Sequence, residues 1–542
     1  MMRFPLLLLL FGAACCSAAE IHRGLGPAPD TLDIHRAQGV SAFNLLRDLH
    51  EGLLTRDARG RPVAGIAEHW TVSDDGRQWR FQLDPEARWS DGSPIVAADF
   101  VRGFERAGAV QTASTTAHWL EPVTAIEALA DDQLVISLVR PVPWFKELLT
   151  LPIAFPVAES GVRLYSGAFL LAREVPGSRF ELEKNRHFRA AAQTRLDRVV
   201  WHVTEDASAE LARFRAGELH ITESVPPGRG DWLAREFGPA YRVAPYLGTF
   251  YLVYNLQRPP FEGNRPLRHA LSLAIDREVI AERVLRTGEI PAHRLVPPNM
   301  PDWSVSDDRP QFPDAETRIE HARDLYRQAG FGPGRPLSVE LRFNSSLAHR
   351  RLASAVAAMW KQHLGVRTRL INEEWKVFVT NRRHGRITEI VRGGWIADWA
   401  DAGNFLRNFH SESPMNYAFL KDPDFDRLLD RAAGARAAAR TGLLHAAEQR
   451  LLDSHALIPL YYYVSRHLVQ ADVSGFEDNP MDIHLSRWLA TTPRAARTAL
   501  GNRPGAVERP ADHASRRPAS DRDSGRDSAI VPIFGQQRPE RH

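Results

Sequence analysis

The stretch VRGGWIADWAD, residues 391–401, sets two carboxylates into an aromatic and aliphatic run. Asp398 stands between Trp395 and Trp399, with Ile396 and Ala397 beside it and Arg392 six residues upstream. A charged carboxylate in apolar surroundings is costly unless a cation meets it. That cation can be a side chain of the same protein, which makes Asp398 structural. It can also be an ammonium group carried by a ligand, which makes Asp398 a binding residue. Spacing alone leaves both open.

Other polar groups share this aromatic setting. INEEWKVFVTNRRHG carries Trp375, Arg382 and Arg383; FNSSLAHRR carries His349; YLGTFYLVYNLQ carries Tyr246, Phe250, Tyr251 and Tyr254. Each has a plain structural reading: tryptophans fill cores, His349 opens a helix, Arg382 is solvated. Motifs for catalysis are missing. The sequence has no H-E-x-x-H, no G-x-S-x-G, no S-x-x-K set and no Gly-rich phosphate loop followed by Lys and Ser or Thr. Its 21 histidines form no pair on one helical face beside acidic ligands. No catalytic residue, metal site or cofactor is expected.

These groups need a large scaffold, and 542 residues allow two or three domains. Composition is that of a globular protein, 44% hydrophobic and 25% charged. The net charge of +3, with no basic run interleaved with aromatics, gives no support for nucleic-acid binding. The opening MMRFPLLLLLFGAACCSAAE reads as a secretory signal peptide over residues 1–19, with Ser17 and Ala19 setting cleavage before Glu20. Lipoprotein processing at Cys15 is the alternative, against which Gly12 stands where a large aliphatic residue is usual. No later run is long and apolar enough to span a bilayer. Both cysteines, Cys15 and Cys16, lie in the opening segment, so the mature chain holds no internal disulfide and no Cys nucleophile.

The pattern beyond is α/β. SAFNLLRDLHEGLL has helical spacing, GIAEHWTVSDDGRQWRFQL reads strand–turn–strand, and WSDGSPIVAADFVRGFERA turns at Asp91-Gly92 into a helix opening near Ala97. RLDRVVWHVTEDASAELARFRAGELHIT predicts strand, helix and strand, the last begun by Leu219 and Ile221. LSVELRFNSS, AHRRLASAVAAMWKQHLG and VRTRLINEEW predict a second such unit, its helix closed by Gly365. RHALSLAIDREVIAERVL predicts a helix broken at Asp276. LIPLYYYV and HLVQADV predict two further strands after Leu457. From about Thr491, RPADHASRRPASDRDSGRDS lacks the apolar residues a core needs, and a disordered tail over 491–542 is expected.

LLRDLHEGLLTRDARGRPVAGIAEHW, ARWSDGSPIVAADFV, PPFEGNRPLRHALSLAIDREVI, NEEWKVFVTNRRHG, RGGWIADW and ALIPLYYYVSRHLV occur in an order that resembles the family 5 extracellular solute-binding proteins of ABC transporters. The resemblance runs from about Asp30 to Arg487, and RGGWIADW with EWK points to the oligopeptide-binding branch. It implies an α/β, two-lobed, hinged periplasmic binding fold (type 2, cluster C) with an inserted extra domain. The expected division is lobe I over 20–53, 154–247 and 464–490, inserted domain II over 54–153, and lobe III over 248–463.

The same resemblance implies that a short peptide is enclosed between the lobes, with Asp398 on its α-ammonium. Arg382, Arg392 and His349 match positions that meet the peptide carboxylate at different lengths, and Trp375 and Trp395 match walls of side-chain pockets. Tyr251 and Asn44 complete the expected peptide-binding set. The implied protein is a monomer that delivers short peptides to an ABC transporter permease in the periplasm, meeting the membrane only through that permease or a lipid anchor. A murein peptide binder is the alternative, and a peptide hydrolase the more distant one. The pattern departs from the family in places. Glu223-Ser224-Val225 stands where the family has Tyr-Asn-Asn, Gly248 and Ile396 stand at its disulfide positions, and an acidic residue near Ala42 and Phe43 is replaced.

Overall fold

The structure, a computed structural model, describes residues 18–159, 163–301, 303–304, 312–387, 389–435 and 437–492; of Trp375, Lys376, Arg383 and Ala437 only the backbone is described. The expected signal peptide and tail therefore lie almost wholly outside the described residues.

Three larger sheets organise the chain. The first has four strands in the order Glu20–Gly26, Arg198–Val203, Arg179–Lys184, Phe169–Val175. Its first two strands are parallel and the others antiparallel. The helix Val40–Leu49 buries Leu45 and Leu49 against it. The second sheet, from Ala67–Val72, Gln78–Leu83, Gln133–Leu138 and Val123–Ala130, is antiparallel. Trp79, Phe81 and Leu83 point into its core at every second position, as a half-buried strand requires. The helix Ala97–Gly108 starts where Asp99 turns back to accept the Val96 N–H at 3.0 Å.

The third sheet is mixed and has six strands, with Tyr241–Tyr254 between Leu457–Leu468 and Ile390–Ile396. Its two faces are separate cores. Leu247, Tyr251 and Val253 pack with the helix Pro423–Gly434, while Phe250, Leu252 and Tyr254 pack with Leu347–Leu364 and Arg265–Leu273. The strand's two-residue period thus divides a helix layer on each side. Gly365, at φ 72°, closes the helix Leu347–Leu364, and Asp276 breaks its helix by accepting the Val279 N–H at 2.9 Å, both as expected.

Two expectations change. The stretch begun by Leu219 and Ile221 is not a strand: Ile221 makes only isolated bridges to Arg23 and Val469. Buried Glu210 takes the N–H groups of Glu223 and Ser224 at 2.8 and 3.2 Å, so the backbone that would extend the strand is engaged elsewhere. LIPLYYYV and the first two residues of HLVQADV lie in one strand, Leu457–Leu468, not in two. Ala490–Thr491 pairs with Val473–Ser474, so the last described strand ends at the residue near which the tail is expected to begin. Where the chain passes between the first and third sheets, two segments run side by side. Thr222 N–H donates to Leu468 O at 3.0 Å, and Leu468 N–H donates to Thr222 Oγ1 at 2.9 Å.

Candidate functional site

The strand Ile390–Ile396 pairs along its whole length with the central strand Tyr241–Tyr254, Gly248 opposite Ile396 and Tyr254 opposite Ile390. A Cβ on Gly248 would stand 2.6 Å from the Tyr463 ring. Gly248 and Ile396, which the resemblance puts at disulfide positions, are direct cross-strand neighbours. The glycine pair of the motif has the same cause. A Cβ on Gly393 would collide with the Tyr251 ring, and one on Gly394 would lie 2.8 Å from the Tyr463 hydroxyl. On its other side the strand pairs with Ser338–Asn344 only at Ile390 and Val391. From Arg392 to Ile396 that edge has no neighbouring strand among the described residues.

The two carboxylates of the motif differ sharply. Asp401 is paired within the chain, its oxygens 2.8 and 2.9 Å from the Arg440 guanidinium. Asp398 has no cation within ion-pair distance among the described residues. Its Oδ2 accepts from Asn404 Nδ2 at 3.3 Å, and the same Asn404 takes the Asp398 N–H at 3.2 Å and the Trp395 indole N–H at 2.7 Å on Oδ1. Burial pushes the Asp398 carboxyl up to about 6, and the Asn404 hydrogen bond offsets only part of that.

Asp398 lines a cavity of about 790 Å³, within the range of small-ligand sites. Trp395 and Asn44 line it too, as do Arg47 and Tyr246. The walls come from the helix Val40–Leu49, from residues within 115–151, from residues within 395–444 and from residues 481–483. Trp399 also touches the cavity, but its ring belongs to the core of the second sheet, stacked on Trp144 with ring centroids 4.4 Å apart. Phe43 lies on the cavity wall, whereas Ala42 is buried in the core. Glu223-Ser224-Val225 is not part of that wall.

The expected carboxylate-binding residues form a second group. Arg392 lies over the Phe250 ring at 5.2 Å, Arg382 over Tyr417 at 4.2 Å, and His349 beside Phe250 at 5.5 Å. Neither arginine has a carboxylate within 4 Å among the described residues, and the Nε of each is buried without a hydrogen-bond partner. Burial and then the Arg392 charge lower His349 to about 4, so it is neutral at pH 7. Burial lowers Arg382 as well. Tyr251 is buried opposite Gly393. None of these four lines the cavity that holds Asp398. Arg392 and Trp395, three residues apart on one strand, are separated by about 10 Å. Trp375 opens the helix Trp375–Arg383, and its side chain lies outside the described residues.

Sequence reasoning missed Asn404 and Arg47. Asn404 is polar and ordinary in type, and only its contact with Asp398 in the fold reveals it. Arg47 was legible in principle, three residues after Asn44 and so on the same helical face. A buried network at the crossing segments was missed too. His467 donates Nδ1–H to Thr222 O at 2.8 Å and Nε2–H to Asp482 Oδ1 at 2.8 Å; His484 Nε2 lies 3.0 Å from the same oxygen. Burial alone would lower His467, but Asp482, Glu223 and the Thr222 carbonyl together outweigh it and raise the imidazole to about 9. The three side chains are close enough to hold an ion, yet each is already satisfied by hydrogen bonds.

The family described as bacterial extracellular solute-binding proteins, family 5 middle, matches residues 61–417. The chain is 34% identical over 521 residues to the periplasmic oligopeptide-binding protein OppA of Salmonella typhimurium, covering 88% of this chain and 95% of that protein. The Escherichia coli murein tripeptide binding protein MppA has a similar structure, with TM-score 0.75 and 30% identity over 88% of this chain and 98% of that one. OppA of Haemophilus influenzae, in complex with RPPGFSPFR, gives TM-score 0.73 and 29% identity over 88% and 99%.

Proposed function

The chain belongs to the family 5 bacterial extracellular solute-binding proteins, and from that premise we propose that it binds short peptides for an ABC importer. The observation that carries this reading is Asp398: a carboxylate in an apolar wall of a cavity, unpaired beside an Asp401 that is paired. A peptide α-ammonium supplies the missing charge. The open backbone edge from Arg392 to Ile396 suits an extended chain, which adds to it as a strand would. Arg382, Arg392 and His349 then offer charge and hydrogen bonds to the far carboxylate.

In this reading lobe I comprises 20–53, 154–247 and 464–490, domain II is 54–153 and lobe III is 248–463. The paired segments at Thr222 and Leu468 form the hinge. The protein works in the periplasm as a monomer and passes its cargo to a permease. Likeness to a murein tripeptide binder supports cell-wall peptides as the second cargo class.

Calorimetry with tri-alanine and N-acetyl tri-alanine tests the amino-terminal contact. Strong loss on acetylation is expected, and equal affinity for both forms would remove Asp398 from this role. Mass spectrometry of ligands released from the purified protein separates linear from cell-wall peptides.

A further inference from the structure

The cavity that holds Asp398 also holds a cation with no carboxylate partner among the described residues. Four arginines line it. Arg440 is paired with Asp401 at 2.8 Å, Arg140 with Glu121 at 3.4 Å and Arg407 with Asp430 at 3.8 Å. Arg47 has no carboxylate within 4 Å among the described residues, and its Nε is buried without a hydrogen-bond partner. The cavity's carboxylates divide the same way. Glu121 and Asp401 are taken by arginines and Asp482 by His467, which leaves Asp398.

We propose that Arg47 binds a carboxylate of the ligand, so that the cavity reads a zwitterion: ammonium at Asp398, carboxylate at Arg47. The inference rests on the peptide reading above and adds to it a second charged contact, distinct from Arg382, Arg392 and His349. Arg47 stands on the helix Val40–Leu49, one turn past Asn44, with its guanidinium over the Phe43 ring at 5.6 Å, and buried Leu45, Leu46 and Leu49 hold that helix in place. A guanidinium offers a planar fork that fits a carboxylate with two parallel hydrogen bonds. Leaving an enclosed guanidinium unpaired is costly, and a ligand carboxylate removes that cost. Burial, then the Arg56 charge, lowers Arg47 to about 9, which fits a site that awaits an anion.

Two carboxylates of a peptide could meet it: the C-terminal group or an acidic side chain. Calorimetry on the full mature protein distinguishes them, with tri-alanine against its C-terminal amide, and Ala-Glu-Ala against Ala-Gln-Ala. The wild type should favour the carboxylate by about tenfold or more in the pair whose carboxylate Arg47 meets. Arg47→Met should cut that preference severalfold while leaving the other pair's ratio unchanged. If Arg47→Met does not fold, Arg47→Lys keeps the charge without the fork and should reduce the same ratio. Unchanged ratios in the folded variant, or uniform weakening of all four peptides, would overturn the assignment. Failure of the wild type to bind any of the four would overturn the peptide reading itself, and Arg47 with it.

Discussion

Trp399 stacks on Trp144 with an interplanar angle of 19°, and Trp119 meets the edge of Trp399 at 90° and 6.0 Å. One residue of the motif, Trp395, thus packs against the core of the third sheet while Trp399 enters that of the second, and Asp398 is held between them. A double-mutant cycle of Trp144→Ala and Trp399→Ala in urea unfolding should show a coupling of about 0.5–1.5 kcal/mol. Trp399→Ala alone should cost about 3–5 kcal/mol. A coupling near zero would mean that the rings do not stack in solution.

Asp398 should make peptide binding depend on pH. Its carboxyl is raised from 3.8 to about 6 in the folded protein, so its charged form is disfavoured there and erodes stability as pH rises from about 4 to 6. An ammonium partner favours the charged form, so binding releases a proton below pH 6. Affinity for tri-alanine should rise from pH 5 to pH 6.5 and then level off. Asp398→Asn should flatten that profile and weaken binding at pH 7 by about 2–5 kcal/mol. A profile of the same shape in the variant would assign the titration to another group.

The three far groups should differ in strength as well as in reach. Arg382→Ala and Arg392→Ala each remove a charged donor, with a loss of about 1.5–3 kcal/mol for the peptide length whose carboxylate they meet. His349 is neutral at pH 7, so His349→Ala should cost only about 0.5–1.5 kcal/mol for its own length. Calorimetry with di-, tri- and tetra-alanine checks the pattern. Equal losses at every length would mark these residues as structural.

Much of this was legible in the sequence because it is periodic or local. The alternation of Trp79, Phe81 and Leu83, the stop at Gly365 and the break at Asp276 each follow from short-range geometry. Asp398 stood out because a charge among Trp395, Ile396 and Trp399 demands an explanation. What could not be read depends on distant partners. That Asp401 and not Asp398 is neutralised is decided by Arg440, on a helix far along the chain. The loss of the strand expected at Leu219 and Ile221 is decided by where Glu210 points. That no carboxylate among the described residues reaches Arg47 depends on every acidic group around it, which only the folded arrangement supplies.

His467 gives the crossing segments a stability that alkali should remove. The imidazole is raised from 6.5 to about 9 because Asp482, with Glu223 and the Thr222 carbonyl, outweighs the effect of burial, and Asp482 is correspondingly lowered. A raised histidine contributes its stabilisation fully below pH 6.5 and loses it as pH rises through 9. Asp482, being lowered, contributes above its usual value of 3.8 and loses that as pH falls through its depressed one. Glu223, raised to about 8 by burial, pushes in the same direction as His467 as pH rises, since its ionisation beside Asp482 and Glu210 is unfavourable. Urea unfolding at pH 6, 7.5 and 9.5 should therefore show stability falling across the series. His467→Gln should be less stable than wild type at pH 6 and nearly equal to it at pH 9.5, with Glu223 accounting for the slope that remains. Parallel curves for the two proteins would show that the His467–Asp482 pair is not ionic in solution.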